Sequence, residues 1–189
     1  MTMSLRDQKA ARTRAALVAT ARKLFAGHGY AQTSTDAILD GAGVKRGALY
    51  HHFRDKAALF EAVCLDLHAE AAQAIGAAIA GVDDPIIALE RGCIAWVRFM
   101  AEGDARQILL VDATSVLGIT RWNEMDAQYG AGLLVEGIAE AKSLAGFDAD
   151  SLSVLLNGAT FAAANWAGDD SERIARVTAT LSRLIHSLR

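Results

Sequence analysis

The side chains best suited to chemistry lie in one short stretch near residue 50. Cationic and hydrogen-bonding groups there can share the outer face of one helix, namely Lys45, Arg46, Tyr50, His51 and His52. Ammonium and guanidinium groups pair with phosphate, and a guanidinium also matches the two acceptors of guanine. The small residue Ala48 lets a helix approach a base edge closely, although tight helix packing would use it equally well. The stretch therefore indicates a nucleic-acid contact.

No nucleophile–base pair, phosphate loop or metal-ligand spacing accompanies these residues in the sequence. His51 and His52 are adjacent, so on a helix their side chains point about 100° apart and cannot chelate one ion from one face. Cys64 and Cys93 fit neither a zinc site nor a disulfide framework, and we interpret them as buried, inert thiols. The sequence predicts no metal, no cofactor and no enzymatic activity.

Two short helices and a tight turn position the cationic side chains. Thr33 or Ser34 is suited to cap the first helix, and Gly43 supplies a turn residue that is free to take positive φ. The second helix spans residues 45–53, and Asp55 can cap the helix behind it. Two helices joined by a short glycine-containing turn, the second with exposed cationic residues, form the helix-turn-helix pattern.

The segment from Leu24 to Phe60, LFAGHGYAQTSTDAILDGAGVKRGALYHHFRDKAALF, closely resembles the N-terminal domain of the TetR family of transcriptional repressors. The matching motifs are LFAxxGY, the Thr-Ser pair before the first motif helix, I-x-x-x-AGV, G-x-LYHHF and K-x-x-LF. These motifs agree with those of the family in both spacing and residue type. The family usually has a small polar residue where Lys45 stands and Ala where Leu39 stands, and neither departure weakens the resemblance.

The resemblance implies an all-α homodimer with an N-terminal DNA-binding domain and a C-terminal ligand-binding domain. Eight residues are expected to meet DNA: Thr35, Lys45, Arg46, Ala48, Tyr50, His51, His52 and Lys56. By the resemblance, Thr35, Tyr50 and Lys56 correspond to contacts with the DNA backbone. Arg46 is the strongest candidate for a contact with guanine, and a contact with phosphate is the alternative.

The charge distribution agrees with a nucleic-acid contact at the N-terminal end. The chain has 189 residues and a net charge of −3. Residues 1–56, here called the head, contain ten Lys and Arg against four acidic residues, whereas residues 57–189, the body, contain nine against eighteen. A basic head on an acidic body is expected where one end meets phosphate. Residues 1 to about 8 are expected to be disordered, and the first helix is expected to begin near Lys9. The basic residues Arg6, Lys9, Arg12 and Arg14 either trail over the DNA backbone, enter a minor groove or belong to a frayed terminus.

Composition and pattern predict an all-α fold. The chain is 52% hydrophobic, has a single proline and shows no sustained alternation of β-branched residues. We expect a three-helix helix-turn-helix domain in residues 1–56 and a larger helical effector-binding and dimerisation domain in residues 57–189. The start of the chain lacks the apolar core of a signal peptide, and no membrane partner is expected. The predicted location is cytoplasmic.

Large apolar side chains on two body helices are candidates for an effector pocket, although an aromatic stripe at helical spacing is more often core. The candidates are Trp96, Phe99, Met100, Trp122, Met125 and Tyr129, with Asp112 as a polar anchor. Because Asp112 stands in an apolar run, its carboxylate needs a partner. It can cap a helix, pair with Arg106 or Arg121, or bind a ligand. The expected effector is small and mostly apolar or aromatic.

The sequence therefore predicts a repressor that binds a near-palindromic, double-stranded operator as a homodimer and is released by a small-molecule effector. Small residues on helices near 120–145 and 148–167 predict the dimer interface there. Two alternatives are an architectural DNA-binding protein without an effector and an all-helical enzyme that uses the aromatic pocket. The basic head and the lack of a base–nucleophile pair argue against the enzyme.

Overall fold

The computed structural model describes residues 4–188, and all regular structure in that range is helical, which confirms the predicted all-α fold. In chain order the helices are α1 (Leu5–Gln32), α2 (Thr35–Ala42), α3 (Arg46–His52), α4 (Lys56–Ile79), α5 (Pro85–Ala101), α6 (Gly103–Ala105, Arg106–Asp112 and Ala113–Leu117), α7 (Ile119–Asp126, Ala127–Ala131 and Gly132–Glu140), α8 (Ala149–Ala167) and α9 (Ser171–His186). The middle segments of α6 and α7 are π-helical, and the 3-10 turn Lys142–Leu144 follows α7.

Side-chain caps fix the starts of most helices, and those at Ser34 and Asp55 agree with the sequence analysis. An Ncap oxygen accepts a backbone N–H of the first turn, which the helix itself leaves unpaired, and contributes about 1 kcal/mol. The residues that do this include Ser34, Asp55, Asp84, Asp148 and Asp170. Asp104 stands in the first turn of α6, and the helix has no side-chain cap. The carboxylate of Asp104 instead pairs with Arg22 of α1, at 2.8 Å.

Helix α1 begins earlier than the sequence indicates. It starts at Leu5, where the Ser4 hydroxyl accepts the N–H of Asp7 at 3.2 Å. Asp7 also places a negative charge in the first turn, where the helix dipole favours one. The disorder expected over residues 1–8 is therefore wrong from Ser4 onward, and the three residues before Ser4 lie outside the described residues.

The last turn of α1 contains a sharp break at Gly29, whose φ is +76° and ψ 164°. Thr33 closes this turn, since its hydroxyl donates to the carbonyl of Gly29 at 2.8 Å. A Cβ atom on residue 29 would stand 3.4 Å from Nε2 of Gln107 in α6. That distance is an ordinary van der Waals contact, so glycine is favoured here because it adopts positive φ without strain.

One hydrophobic core runs through the head and the body, and helix α4 passes through both. Its buried residues include Phe60 near the start, Leu67 in the middle and Ile75 near the end. The ring of Phe60 meets those of Phe25 and Tyr30 at centroid distances of 5.1 and 5.0 Å. Within residues 4–188, α4 is the one helix long and apolar enough to cross a membrane by length and composition alone. Part of this apolar surface is buried in the core, including Leu59, Phe60 and Leu67.

The break in α1 generates a prediction with a control in the same turn. Gly29→Ala is expected to lower the free energy of unfolding by about 1–2 kcal/mol, because an L side chain is strained at positive φ. Gly27 is helical and has no atom near its Cβ position, so Gly27→Ala is expected to raise the free energy of unfolding by about 0.5–1 kcal/mol. Urea denaturation measures both values, and equal stability of the two variants would contradict the assigned break.

Candidate nucleic-acid interface and body cavity

Helices α2 and α3 present the predicted DNA-binding residues on the outer side of the head. Gly43 ends α2 with φ +66°, and the buried Leu49 packs α3 against the core. Thr35 is half-buried at the first position of α2. The exposed residues at the start and on the outer side of α3 include Lys45, Arg46, Gly47, Tyr50 and His51. The turn and the buried face of α3 therefore fix which side chains face away from the protein.

A groove between α1 and α3 gathers basic and small side chains. It is lined by Arg6, Lys9, Ala10, Thr13, Gly47, Ala48, His51 and His52. Arg6 and Lys9 belong to α1 and stand beside α3, so the alternative of a frayed terminus is wrong for Arg6 and Lys9. The rings of His51 and His52 meet edge to face at 5.1 Å. Partial burial, followed by the charges of His51 and Arg14, lowers the pKa of His52.

Arg46 forms an ion pair with Asp36 of α2, with Nη2 and Oδ1 2.7 Å apart. The two side chains are 63% and 69% exposed. An exposed pair of this kind contributes about 0–1 kcal/mol, so the guanidinium can exchange Asp36 for another acceptor at little cost. Both roles considered for Arg46, a contact with guanine and a contact with phosphate, are compatible with this position.

Lys56 is engaged inside the protein, although the resemblance implies a contact with the DNA backbone. Its Nζ donates to the carbonyls of Tyr30 and Thr33, each at 2.9 Å, and lies 4.0 Å from the centroid of the Tyr30 ring. Burial lowers the pKa of the ammonium group. Two of its three donors are therefore used to hold the start of α4 against the turn between α1 and α2. This contact gives Lys56 a structural role.

Asp112 lies at the joint between head and body, so its predicted place in a ligand pocket is wrong. Its Oδ2 accepts the backbone N–H of Tyr30 at 2.8 Å and Nε2 of Gln107 at 3.2 Å. It caps no helix through its side chain. Neither Arg106 nor Arg121 forms an ion pair with it among the described residues, and Arg121 pairs with acidic residues of α4 and α7 instead. The closer of its two donors is therefore a backbone N–H far away in sequence.

The body contains an apolar cavity of about 260 Å³, bounded by α4, α5, α7 and α8. Its apolar lining includes Ile75, Ile79, Leu89, Cys93, Trp96, Leu133 and Leu134. Asn157 and Thr160 of α8 add polar groups to the wall. Of the seven residues predicted to form an effector pocket, Trp96 alone lines this cavity.

The other predicted pocket residues on these helices do not line the cavity, and most of them are core. They are Phe99, Met100, Trp122, Met125 and Tyr129. Met100 and Met125 are fully buried, and Trp122 packs on His68 at a ring distance of 5.0 Å. Large side chains at helical spacing tend to point toward the neighbouring helices, because burying them there stabilises the fold. The pattern of large apolar side chains therefore identified residues that pack in the core and did not identify most of the residues that line the cavity.

Two polar residues beside the cavity were not predicted from the sequence, Asp126 and Asn157. Asp126 Oδ2 accepts Nδ2 of Asn157 at 2.6 Å, whereas Asp126 Oδ1 is buried and has no hydrogen-bond partner among residues 4–188. Burial raises the pKa of Asp126, and burial also lowers the pKa of the nearby His68 ring to about 4. The sequence contained two signals for them. Asp126 stands one helical turn after Trp122, and the polar Asn157 lies inside an apolar run.

The described part of the chain contains no group of three or more His, Cys, Asp or Glu residues that could hold a metal ion. Cys64 and Cys93 are both buried and free. Burial raises the pKa of each thiol, so neither is a ready thiolate nucleophile. Cys93 thus contributes an apolar surface to the cavity wall.

The fold and the exposed face of α3 define an all-α protein with an N-terminal helix-turn-helix. Residues 17–63 match the family described as "Bacterial regulatory proteins, tetR family". Residues 86–188 match the family described as "Tetracyclin repressor-like, C-terminal domain". The chain belongs to the TetR family.

Relatives agree with this assignment along most of the chain. The crystal structure of a TetR-family transcriptional regulator from Pectobacterium atrosepticum is 31% identical, with a TM-score of 0.76 and coverage of 96% of both chains. The probable acrEF/envCD operon repressor of Escherichia coli K12 is 34% identical over 103 residues, which are 54% of this chain. The match spans 47% of that repressor's length. A transcriptional repressor of Mycobacterium tuberculosis, Rv1474c, is 46% identical over 57 residues, 30% of each chain.

The different surroundings of two lysines predict different effects of the same substitution. Lys56→Met is expected to lower the free energy of unfolding by about 1–3 kcal/mol, because two carbonyls lose a charged donor. Lys45 is exposed and its side chain makes no capping hydrogen bond, so Lys45→Met is expected to change stability by less than about 0.5 kcal/mol. Thermal and urea denaturation measure both effects.

Duplex-DNA binding by the same two variants completes this comparison. Lys45→Met is expected to weaken binding, because an exposed cation at the start of α3 is lost. Unchanged stability of Lys56→Met, together with a loss of DNA affinity equal to that of Lys45→Met, would contradict the structural role given to Lys56.

Proposed function

We propose that this protein is a transcriptional repressor that binds a near-palindromic operator as a homodimer and leaves it when a small molecule fills the body cavity. The observation that carries the proposal is the exposed, basic face of α3 beside the groove between α1 and α3. In this proposal residues 1–56 bind DNA, and residues 57–189 bind the effector and form the dimer. The name of the Escherichia coli relative, a probable operon repressor, supports repression as the regulatory outcome.

Helix α3 is the proposed recognition helix. Lys45, Arg46 and His52 are proposed to face the major groove, where the small Ala48 allows close approach to base edges. Thr35, Tyr50 and His51 are proposed to bind the phosphates on either side. Helix α1 adds Arg6 and Lys9 to the same face, which increases the positive charge that meets the DNA backbone.

The exposed apolar face of α8 and α9 supports a dimer surface there. Leu155 and Trp166 of α8 are 69% and 51% exposed, and Leu184 of α9 is 47% exposed. On α8 the exposed positions Leu155, Gly158, Ala162 and Trp166 recur every three or four residues, so they form one stripe. A contiguous apolar patch of this kind marks an interaction surface. A second copy of the chain, related by a two-fold axis, is the partner that we propose.

This dimer surface differs from the helix pair predicted from the sequence. The prediction assigned the small residues of α7 to the interface, but Gly130 and Gly137 line the cavity. These glycines of α7 therefore leave room for the cavity inside the body. We propose that α8 and α9 form the interface.

Effector release requires that the ligand prefer one of two arrangements of the heads. Helix α4 contributes Ile75 and Ile79 to the cavity wall and begins in the head at Lys56, so it joins the two sites directly. Moving a repressor from mostly bound to mostly free takes roughly 5 kcal/mol of differential ligand affinity. A cavity that closes around its ligand can supply part of this difference by burying apolar surface.

The dimer surface supplies the test of the proposal. Leu155→Glu places a charge in the proposed apolar interface, so we expect wild-type protein to sediment as a dimer and the variant as a monomer at micromolar concentration. Affinity for duplex DNA is expected to fall at least tenfold in the variant, because a monomer engages one half of the site. Analytical ultracentrifugation and fluorescence anisotropy measure the two effects.

The control for this experiment is Gln128→Glu, which adds the same charge at an exposed position of α7 outside the proposed interface. It is expected to remain dimeric and to bind DNA with nearly wild-type affinity. Wild-type protein that is monomeric at micromolar concentration would contradict the proposal. An unchanged dimer in Leu155→Glu would place the interface elsewhere.

A further inference from the structure

An ion pair joins the starts of α2 and α3. Arg46 is the first residue of α3 and Asp36 is the second residue of α2, and Nη2 of Arg46 donates to Oδ1 of Asp36 at 2.7 Å. The positive end of a helix favours the carboxylate of Asp36 but disfavours the guanidinium of Arg46. The start of α3 is therefore an unfavourable place for a cation by itself, and Asp36 supplies the compensating charge.

Other cations on this side of the head have no such partner. Arg6 and Lys9 line the groove between α1 and α3, Lys45 is exposed just before α3, and none of the three forms an ion pair within residues 4–188. Unpaired cations suit the phosphates, which carry the charge of DNA. The carboxylate of Asp36 cancels the net charge of Arg46 and would itself be repelled by a phosphate. Arg46 is therefore the least suited of these cations to a phosphate contact.

The guanidinium of Arg46 keeps a pair of donors free for a base. A guanidinium has five N–H donors in one plane, and the bond to Asp36 uses one of the two on Nη2. The side chain makes no other hydrogen bond in the described part of the chain. The donors on Nη1 and the second donor on Nη2 can bind N7 and O6 of guanine together. These acceptors carry no net charge, so Asp36 opposes this contact less than a contact with phosphate.

We propose that Asp36 is a positioning residue for base readout, which holds the guanidinium of Arg46 in the plane that pairs with a guanine of the operator. This inference rests on the proposed function, because it requires α3 to enter the major groove. The exposed pair is weak in water, but DNA displaces water from the interface, and a charged hydrogen bond strengthens in less polar surroundings. An arginine that is already held at one donor also loses less freedom when it binds.

Selection of bound duplexes from a random-sequence pool locates the base that Arg46 reads. Wild-type protein is expected to enrich a guanine at one position of each half-site, and Arg46→Ala is expected to lose that preference. Fluorescence anisotropy with two duplexes that differ only at this position then compares the affinities for a G·C and an A·T pair. Their ratio is expected to be about tenfold for the wild type, the usual size of discrimination by a bidentate contact.

The variant Asp36→Asn keeps the size of the side chain and removes its charge. It is expected to lower the guanine preference by about threefold or more, at the same position as Arg46→Ala, because the hydrogen bond that orients the guanidinium loses its charged acceptor. Its affinity for a duplex without the operator sequence is expected to stay equal or to rise, because a negative charge near the phosphates is lost. Damage to the fold would lower both quantities, so the opposite responses separate positioning from a structural role.

The matched control is Asp40→Asn, because Asp40 is exposed on the same helix and forms no ion pair among the described residues. It removes the same charge, so it is expected to change the affinity for the non-operator duplex in the same direction and to leave the guanine preference within about twofold. The double variant Asp36→Asn with Arg46→Ala is expected to match Arg46→Ala in base preference, because two residues that act through one contact are not additive.

An unchanged guanine preference in Asp36→Asn would overturn the proposal, as would a guanine preference that survives Arg46→Ala. Relaxation by Asp36→Asn at a different position from Arg46→Ala would also overturn it, because Asp36 would then contact a base itself. An equal loss of preference in Asp40→Asn would show that charge alone is responsible. These four outcomes leave the proposed function intact, whereas a wild-type pool with no enriched sequence would contradict the proposed function and this inference together.

Discussion

The hydrogen bond from the backbone N–H of Tyr30 to the carboxylate of Asp112 is the constraint on which the position of the head depends. Tyr30 follows Gly29, the residue at which α1 leaves helical geometry. Asp112 accepts this N–H at 2.8 Å from the π-helical segment of α6. A partly buried backbone donor without an acceptor costs about 1–3 kcal/mol, so the break in α1 and the approach of α6 stabilise each other. Gln107 holds the same carboxylate in place.

Other polar contacts tie the head to the body around this joint. Lys56 fixes the carbonyl of Tyr30 from the start of α4, and Arg22 of α1 pairs with Glu70 of α4 and Asp104 of α6. The head is thus attached through packed helices and charged hydrogen bonds, with no long flexible linker in the described chain. A change in α4 or α6 therefore has a physical route to α3 through α1, which packs against all three helices. Ligand-controlled DNA binding requires such a route.

Local chemistry made much of this fold predictable, whereas contacts between distant residues did not follow from the sequence. The Ser34 cap and the positive φ of Gly43 depend on residues within one turn, so sequence reasoning located the helix-turn-helix. The partner of Asp112 lies 82 residues away, which no local pattern reports. Of the large side chains predicted to form a pocket, Trp96 alone lines the cavity, because side chains of this size usually pack between helices. The cavity depends on glycines such as Gly92, Gly130 and Gly137, which leave space only once the helices have packed around them.

The most direct test of the account is selection of bound duplexes from a random-sequence pool, followed by nuclease protection of the enriched DNA. A dimer that reads DNA through two copies of α3 is expected to enrich an inverted repeat. Its half-site centres should lie about 34–36 Å apart, which is one turn of the duplex, and both half-sites should be protected together. A pool that shows no enriched sequence after selection, or enrichment of a single unrepeated site, would contradict the account.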